Sequence, residues 1–292
     1  MIHKAINPPD KEWKYQHKIA DQFFQDLADA TELILSNLQE EIDIATIEEA
    51  LRQGKPTIII DSIDWSEQFE DKLLLKYEPV YNTIMALTGA EAWKELSIPI
   101  AFNIRNPYSE KWIAENAANM VTLVTKETKQ AIRRVILDGF QMGFAPRQMA
   151  KPIREMIGLT ERDARAVLNY WAKLSEEADL SARRVDDMAN TYEKQLLRKR
   201  ALTIARTETL NAANRGVEAS WQVARDGGYI LPETEREWIA AAGSCRTCKI
   251  CMDYNGRRAP LDGPYVSPKY GEKMGPPGHV CNCRCSQGLV TK

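Results

Sequence analysis

GHVCNCRC, residues 278–285, sets three cysteines on alternate positions near the end of a 292-residue chain. The other three lie in CRTCKIC, residues 245–251, so no cysteine occurs before residue 245. Residues 228–292 also carry much of the glycine and proline and show no sustained helical period. The segment reads as a small, turn-rich module with short strands. Modules of this size bury too little apolar surface to fold unaided and need a staple. Zinc is the natural one: it takes four nitrogen or sulfur ligands in a tetrahedron, and Cys-x2-Cys supplies two from one turn. Cys245, Cys248, Cys251, His279, Cys281, Cys283 and Cys285 compete for those four positions. Alternate residues of an extended segment face one side, so two of Cys281, Cys283 and Cys285 can turn towards one metal, with crowding favouring one. A structural zinc site leads the readings. An iron–sulfur cluster lacks the nearby fourth Cys followed by Pro. A disulfide module requires an oxidising compartment or a virion. Catalytic zinc lacks both the deaminase pattern and H-E-x-x-H.

Upstream of this module the chain reads as helices. Trp13, Ile19, Phe23, Leu27, Ile34, Leu38 and Ile42 recur at three- and four-residue steps, the period of an amphipathic helix. GKPTIII, residues 54–60, reads as a short strand or a buried connector, and a second helix covers about 68–96. Ser109, behind Pro107, is the expected N-cap of a helix whose stripe runs through Ile113, Ala117, Met120, Val124, Thr128, Ile132, Val135 and Phe140. A short helix over 145–158 has Pro146 near its start and Gly158 at its stop, with Pro152 placed to divide it. Thr160 and Asp163 open another helix, and after a polar hinge near 175–181 a long helix covers 182–226. The fold class is therefore mainly α, long amphipathic helices with a small C-terminal turn-rich β/zinc-binding module, α+β overall. Three regions are expected: an N-terminal helical interaction region 1–105, a central helical region 106–227, and the Cys/His-rich module 228–292.

Net charge is −2, divided as −10 over residues 1–100, +2 over 101–180 and +6 over 181–292. An acidic front and a basic back suggest separate partners or solvated helix faces. No run of about 18 apolar residues exists, so no membrane span is expected. MIHKAINPPDKEWKYQ lacks an apolar h-region, so no secretory signal is expected either.

RALTIARTETLNAANRG (200–216), EW (237–238), CRTCKICMDYNG (245–256) and PPGHVCNCRC (276–285) occur in that order. The ordered set resembles the phage Mu F-like family, the minor head or head morphogenesis proteins of tailed phages, which pairs an IARTE helix with RTCxxCxxxxG and a terminal PPxHxxCRC. The resemblance aligns Cys248, Cys251, His279, Cys283 and Cys285 with the family's Cys and His positions. It implies a zinc set of Cys248, Cys251, His279 and Cys283, with Cys285 as substitute and Cys245 and Cys281 as extras. Ser244 stands where the family commonly has an acidic residue, and Val280-Cys281-Asn282 lengthens the His-to-CRC spacing by one. The resemblance also implies a non-enzymatic protein of the virion, made in the host cytoplasm and held inside the capsid near the portal. Its expected partners are the portal protein and other capsid or scaffold proteins. It would assist head assembly, DNA packaging or ejection.

On a helix, Arg206 shares a face with Leu202, Leu210, Ala213 and Val217. A guanidinium on a buried stripe needs an acceptor, so Arg206 and Glu208 are expected as structural anchors, flanked by Asn211 or Asn214. Catalysis or DNA contact by Arg206-Thr207-Glu208 is the competing reading. The basic run Lys194–Arg200 reads as a solvated face or as DNA contact through the basic C-terminal third. The competing function is a zinc-dependent hydrolase or nuclease acting on DNA, for which the chain offers no convincing general base.

Overall fold

Four long helices carry about half of the described residues in the computed structural model, which describes residues 12–177, 179–241, 248–276 and 283–290. They are α1 (Glu12–Glu40), α4 (Asp71–Glu95), α5 (Pro107–Met142) and α8 (Ala182–Asp226). Shorter helices lie between them: α2 (Ile44–Gln53), α3 (Thr57–Ile60), α6 (Pro146–Met156) and α7 (Glu161–Ser175). The fold class is as the helical periods predicted, with the few strands confined to the C-terminal part. Among the described residues no helix is long and apolar enough to cross a membrane.

The chain forms two compact units. One comprises the described residues of Met1–Leu27, Tyr77–Asn116 and Leu202–Lys292; the other comprises Ala28–Lys76 and Ala117–Ala201. Each of the four long helices contributes residues to both.

In the second unit, Leu35, Leu38, Ile47, Val135, Ile136, Ile153 and Leu168 are among the most buried side chains. GKPTIII proves to be a buried connector containing the helical turn α3, not a strand. Pro56 precedes that turn, and Ile59 and Ile60 bury their side chains. Pro152 does not divide α6, which runs through it with Pro152 itself buried. Gly158 (φ +100°) follows this helix, and its positive φ suits glycine. The apolar stripe of α5 is buried through Ile136, whereas Phe140 is half exposed.

Two of the four charges in the run Lys194–Arg200 turn inward. Arg200 is buried and donates to Thr128 Oγ1 (3.0 Å), to the carbonyls of Val124 (3.3 Å) and Gly158, and to Glu127 (3.3 Å). Arg198 pairs with Asp29 and Glu32 at 2.6 and 2.7 Å.

In the first unit the cap of α5 differs from expectation. Asn106, not Ser109, is the capping residue. Its Oδ1 accepts the Ser109 N–H at 3.0 Å, and Pro107 takes the first helical position, where its missing N–H costs nothing. α8 approaches α4 closely at Gly216, where an added Cβ would meet the Met85 Cα at 2.6 Å. Alanine there gains about 1 kcal/mol of helix propensity but forces the two backbones apart. Gly216→Ala is expected to lower stability by about 1–3 kcal/mol, read from the midpoint of urea unfolding.

After α8 the chain makes a three-stranded antiparallel sheet in the order β2 (Arg258–Pro260), β1 (Glu235–Ile239), β5 (Ser286–Val290). A hairpin of β3 (Tyr265–Ser267) and β4 (Gly271–Lys273) and a short helix α9 (Lys249–Tyr254) complete the module. Along β1 the inward positions are Arg236 and Trp238, as the two-residue period of a strand requires. Trp238 stacks on Tyr254 at 4.8 Å and meets Tyr265 edge-on at 5.3 Å. Those rings and the cysteines form one buried cluster.

Candidate metal centre

Cys248 is the N-cap of α9, its Sγ accepting the Cys251 N–H at 3.4 Å. The turn therefore follows from the Cys-x2-Cys spacing: the third helical residue offers its unpaired N–H to the cap side chain. The arrangement recurs before β5, where Cys283 Sγ accepts the Cys285 N–H at 3.4 Å. Cys251, Cys283 and Cys285 are buried and their sulfurs all lie within 4.8 Å of one another. Cys251 and Cys283 sulfurs are 3.5 Å apart, a thiol contact rather than the bond of about 2.05 Å that a disulfide makes.

Ligands about 2.3 Å from a tetrahedral centre stand about 3.8 Å from each other, so the three sulfurs are spaced as zinc ligands would be. Without a cation the crowding has a cost. The hydrogen bonds of Cys251 with Cys283 and Cys285, and then burial, push its thiol far above the ordinary range. At Cys285 the hydrogen bond with Cys251 lowers the pKa, but contact with Cys283 and burial outweigh it, and the thiol is pushed up to about 12. A divalent cation reverses this balance by favouring thiolates. The donor set thus fits a soft or borderline metal. Cys248 is half-buried and packs against the cluster. Cys245, His279 and Cys281 lie outside the described residues.

The cysteine strand is pinned to α8 by polar groups. Asn214 Nδ2 donates to the Cys285 carbonyl (3.1 Å), and Gln287 Nε2 donates to the Asn214 carbonyl and to Glu218, both at 3.0 Å. Arg236 is fully buried beside them. Its Nη1 donates to Glu218 (2.9 Å), Gln287 Oε1 (2.9 Å) and the Met274 carbonyl (2.6 Å), its Nη2 to the Gly263 carbonyl (2.7 Å) and its Nε to the Pro260 carbonyl (3.1 Å). Sequence reasoning missed this residue, because EREWI reads as a polar segment. The available signal was the alternation that places Arg236 on the same face as Trp238.

Arg206 sits elsewhere in the same unit, over the Phe24 ring at 4.1 Å and 3.9 Å from Asp21. Glu208 is buried and accepts from Tyr81 Oη (2.7 Å) and Asn116 Nδ2 (2.9 Å); burial raises its pKa against those two bonds. Asn211 donates to Asn116 Oδ1 at 3.0 Å. Of the residues flanking IARTE, Asn214 is the one joined to the cysteine strand.

Long helices ending in a small sheet that gathers three buried sulfurs define a helical protein with a cysteine-closed C-terminal module. The family described as Phage Mu protein F like protein matches residues 130–288, more than half of the chain, from within α5 to within β5. The chain belongs to that family, whose members are phage head morphogenesis proteins. Neither a curated protein nor a solved structure matches it.

Proposed function

We propose that this protein is a non-enzymatic minor head component of the virion, made in the host cytoplasm, associated with the portal and assisting head assembly, DNA packaging or ejection. The family match, which spans the central helices and the cysteine module together, carries this reading. Its partners would be the portal protein and other capsid or scaffold proteins, with Arg206 and Glu208 as structural anchors of α8. In the same reading the module holds one structural zinc through Cys251, Cys283 and Cys285. Cys248 or His279 is the fourth ligand, and Cys245 and Cys281 remain as reserve donors. The burial of the three converging sulfurs supports a closed site. A hydrolytic zinc keeps a position open to water and a base beside it, which makes the hydrolase or nuclease reading the weaker one.

Elemental analysis of the full chain purified under reducing conditions is expected to give about one zinc per chain. Cys251→Ala and Cys283→Ala should each lose it. Retention by His279→Ala with loss by Cys248→Ala assigns Cys248 as the fourth ligand, and the reverse pattern assigns His279. Absence of zinc together with absence of titratable thiols would mean disulfides and sink the zinc reading. Portal association is tested separately, by co-purification of the full-length protein with the portal protein of its own phage; failure to co-purify argues against that part.

A further inference from the structure

His17, Asp21 and Phe24 follow one another at steps of four and three residues along one face of α1. His17 Nε2 donates to the Arg284 carbonyl at 3.0 Å. One turn on, Asp21 Oδ1 lies 3.9 Å from Arg206 Nη1, and the Phe24 ring lies beneath that guanidinium at 4.1 Å. This face of α1 therefore holds the guanidinium of Arg206 from α8 and the backbone of Arg284, the residue between Cys283 and Cys285. Charge there does not balance. Among the described residues Asp21, 61 % exposed, is the one carboxylate within ion-pair reach of Arg206, and Arg284 has none. Arg284 is exposed, and Lys18 adds a further exposed cation on the same turn of α1.

Burial, and after it the neighbouring Arg284, hold Arg206 below its ordinary pKa, as befits a cation short of anions. Two guanidiniums offer forked donors that match the oxygens of a phosphate. Stacking on Phe24 fixes the plane of one of them. The long, exposed contact to Asp21 is cheap to exchange for a doubly charged anion.

We propose that Arg206 and Arg284 form a phosphate-binding site, with His17 positioning Arg284 through its backbone. The site does not depend on the head-protein assignment, and measuring zinc content alongside keeps it separate from the metal reading. The test uses the full-length protein purified under reducing conditions with two probes, a fluorescent 20-base-pair DNA duplex and inorganic phosphate. Arg284→Ala is expected to bind the duplex about tenfold more weakly at 0.1 M salt, with the slope of log K against log salt reduced by about 0.9. Arg206→Lys, which keeps the charge and loses the fork, should weaken binding too. Arg258→Ala, at an exposed arginine already paired with Glu237 (3.3 Å), should leave binding unchanged. Duplex binding that depends on both arginines identifies the phosphate as that of a DNA backbone. If the duplex does not bind but inorganic phosphate raises the melting temperature of the parent and of neither variant, the site takes a free phosphate. Equal binding of both probes by the parent and both variants, or no binding of either probe by the parent, overturns the proposal.

Discussion

Replacing Arg236 by leucine is expected to lower the unfolding free energy by about 3–5 kcal/mol, the cost of breaking a buried ion pair from one side. The guanidinium is fully buried and uses all three of its nitrogens. Leucine ends at Cδ, short of the guanidinium, and so fills only part of the space and leaves the carbonyls of Pro260, Gly263 and Met274 and the Gln287 carboxamide oxygen without this donor. The Met274 carbonyl keeps Arg215 (3.1 Å) and Gln287 Oε1 keeps Tyr265 (3.4 Å), so the cost of about 1–3 kcal/mol per unmet acceptor does not fall on all four. Glu218 keeps Arg215 (2.6 Å) and Gln287 (3.0 Å), so its charge is not stranded, and the loss stays within that range rather than exceeding it. Lysine rescues little, because one ammonium cannot reach acceptors that surround a planar fork. Urea unfolding followed by tryptophan fluorescence reads the effect, with Trp238 two residues away in the same sheet as the reporter. A loss below about 1 kcal/mol would show that solvent or neighbouring groups replace the guanidinium.

That arginine also marks where the sequence stopped being legible. The helices could be read because each exposes one face and buries another, so Leu27, Ile34 and Leu38 recur at helical steps and are buried in α1. α8 covers Ala182–Asp226, the predicted range, for the same reason and because Gly227-Gly228 ends it. Capping was legible only by type. Asn106 and Ser109 are both good caps, and the choice fell to Asn106 because Pro107 prefers the first helical position. The strands were hidden by their length of three to five residues and by the inverted pattern of β1, in which a charged residue faces inward.

The candidate site divides along similar lines. Clustering of the cysteines identified the module, but spacing could not say which sulfurs converge. Crowding was expected to admit one cysteine of the terminal group. Cys283 and Cys285 both reach the cluster, because residues two apart on an extended chain point the same way. The strand is held there by Asn214, Gln287, Glu218 and Arg236, four polar residues scattered over more than 70 positions. Networks closed by partners that distant leave no periodic trace.

Glu193 supplies the second large effect, a pH dependence in the other unit. Its side chain is 2 % exposed on α8 and accepts a hydrogen bond from Gln39 Nε2 at 3.2 Å. The same amide also donates to the Glu155 and Ile157 carbonyls at 2.7 and 3.0 Å, so it cannot turn to serve the carboxylate alone. Burial raises the Glu193 pKa from 4.5 to about 7; the Gln39 bond opposes the rise, the Glu155 carboxylate adds to it, Lys194 opposes it and Glu32 adds to it. The fold therefore holds a proton that the unfolded chain releases at lower pH. Between about 4.5 and 7 the native state binds more protons than the unfolded one, so stability falls as pH rises. The contribution is fully present below the unfolded value and is lost as pH passes through the folded value. The whole difference amounts to about 3 kcal/mol. Glu193→Gln removes the titration while retaining an acceptor for Gln39. Urea unfolding midpoints from pH 5 to 8 are expected to separate the two proteins progressively, the variant being more stable by about 3 kcal/mol at pH 8. Burial also raises Glu155 and Glu208; Glu208 titrates in both proteins and cancels in the comparison, while the repulsion between Glu155 and Glu193 is part of the difference measured. A gap that stays constant across this range would mean that Glu193 is ionised throughout. The Gln39 amide and the Lys194 ammonium would then outweigh the burial.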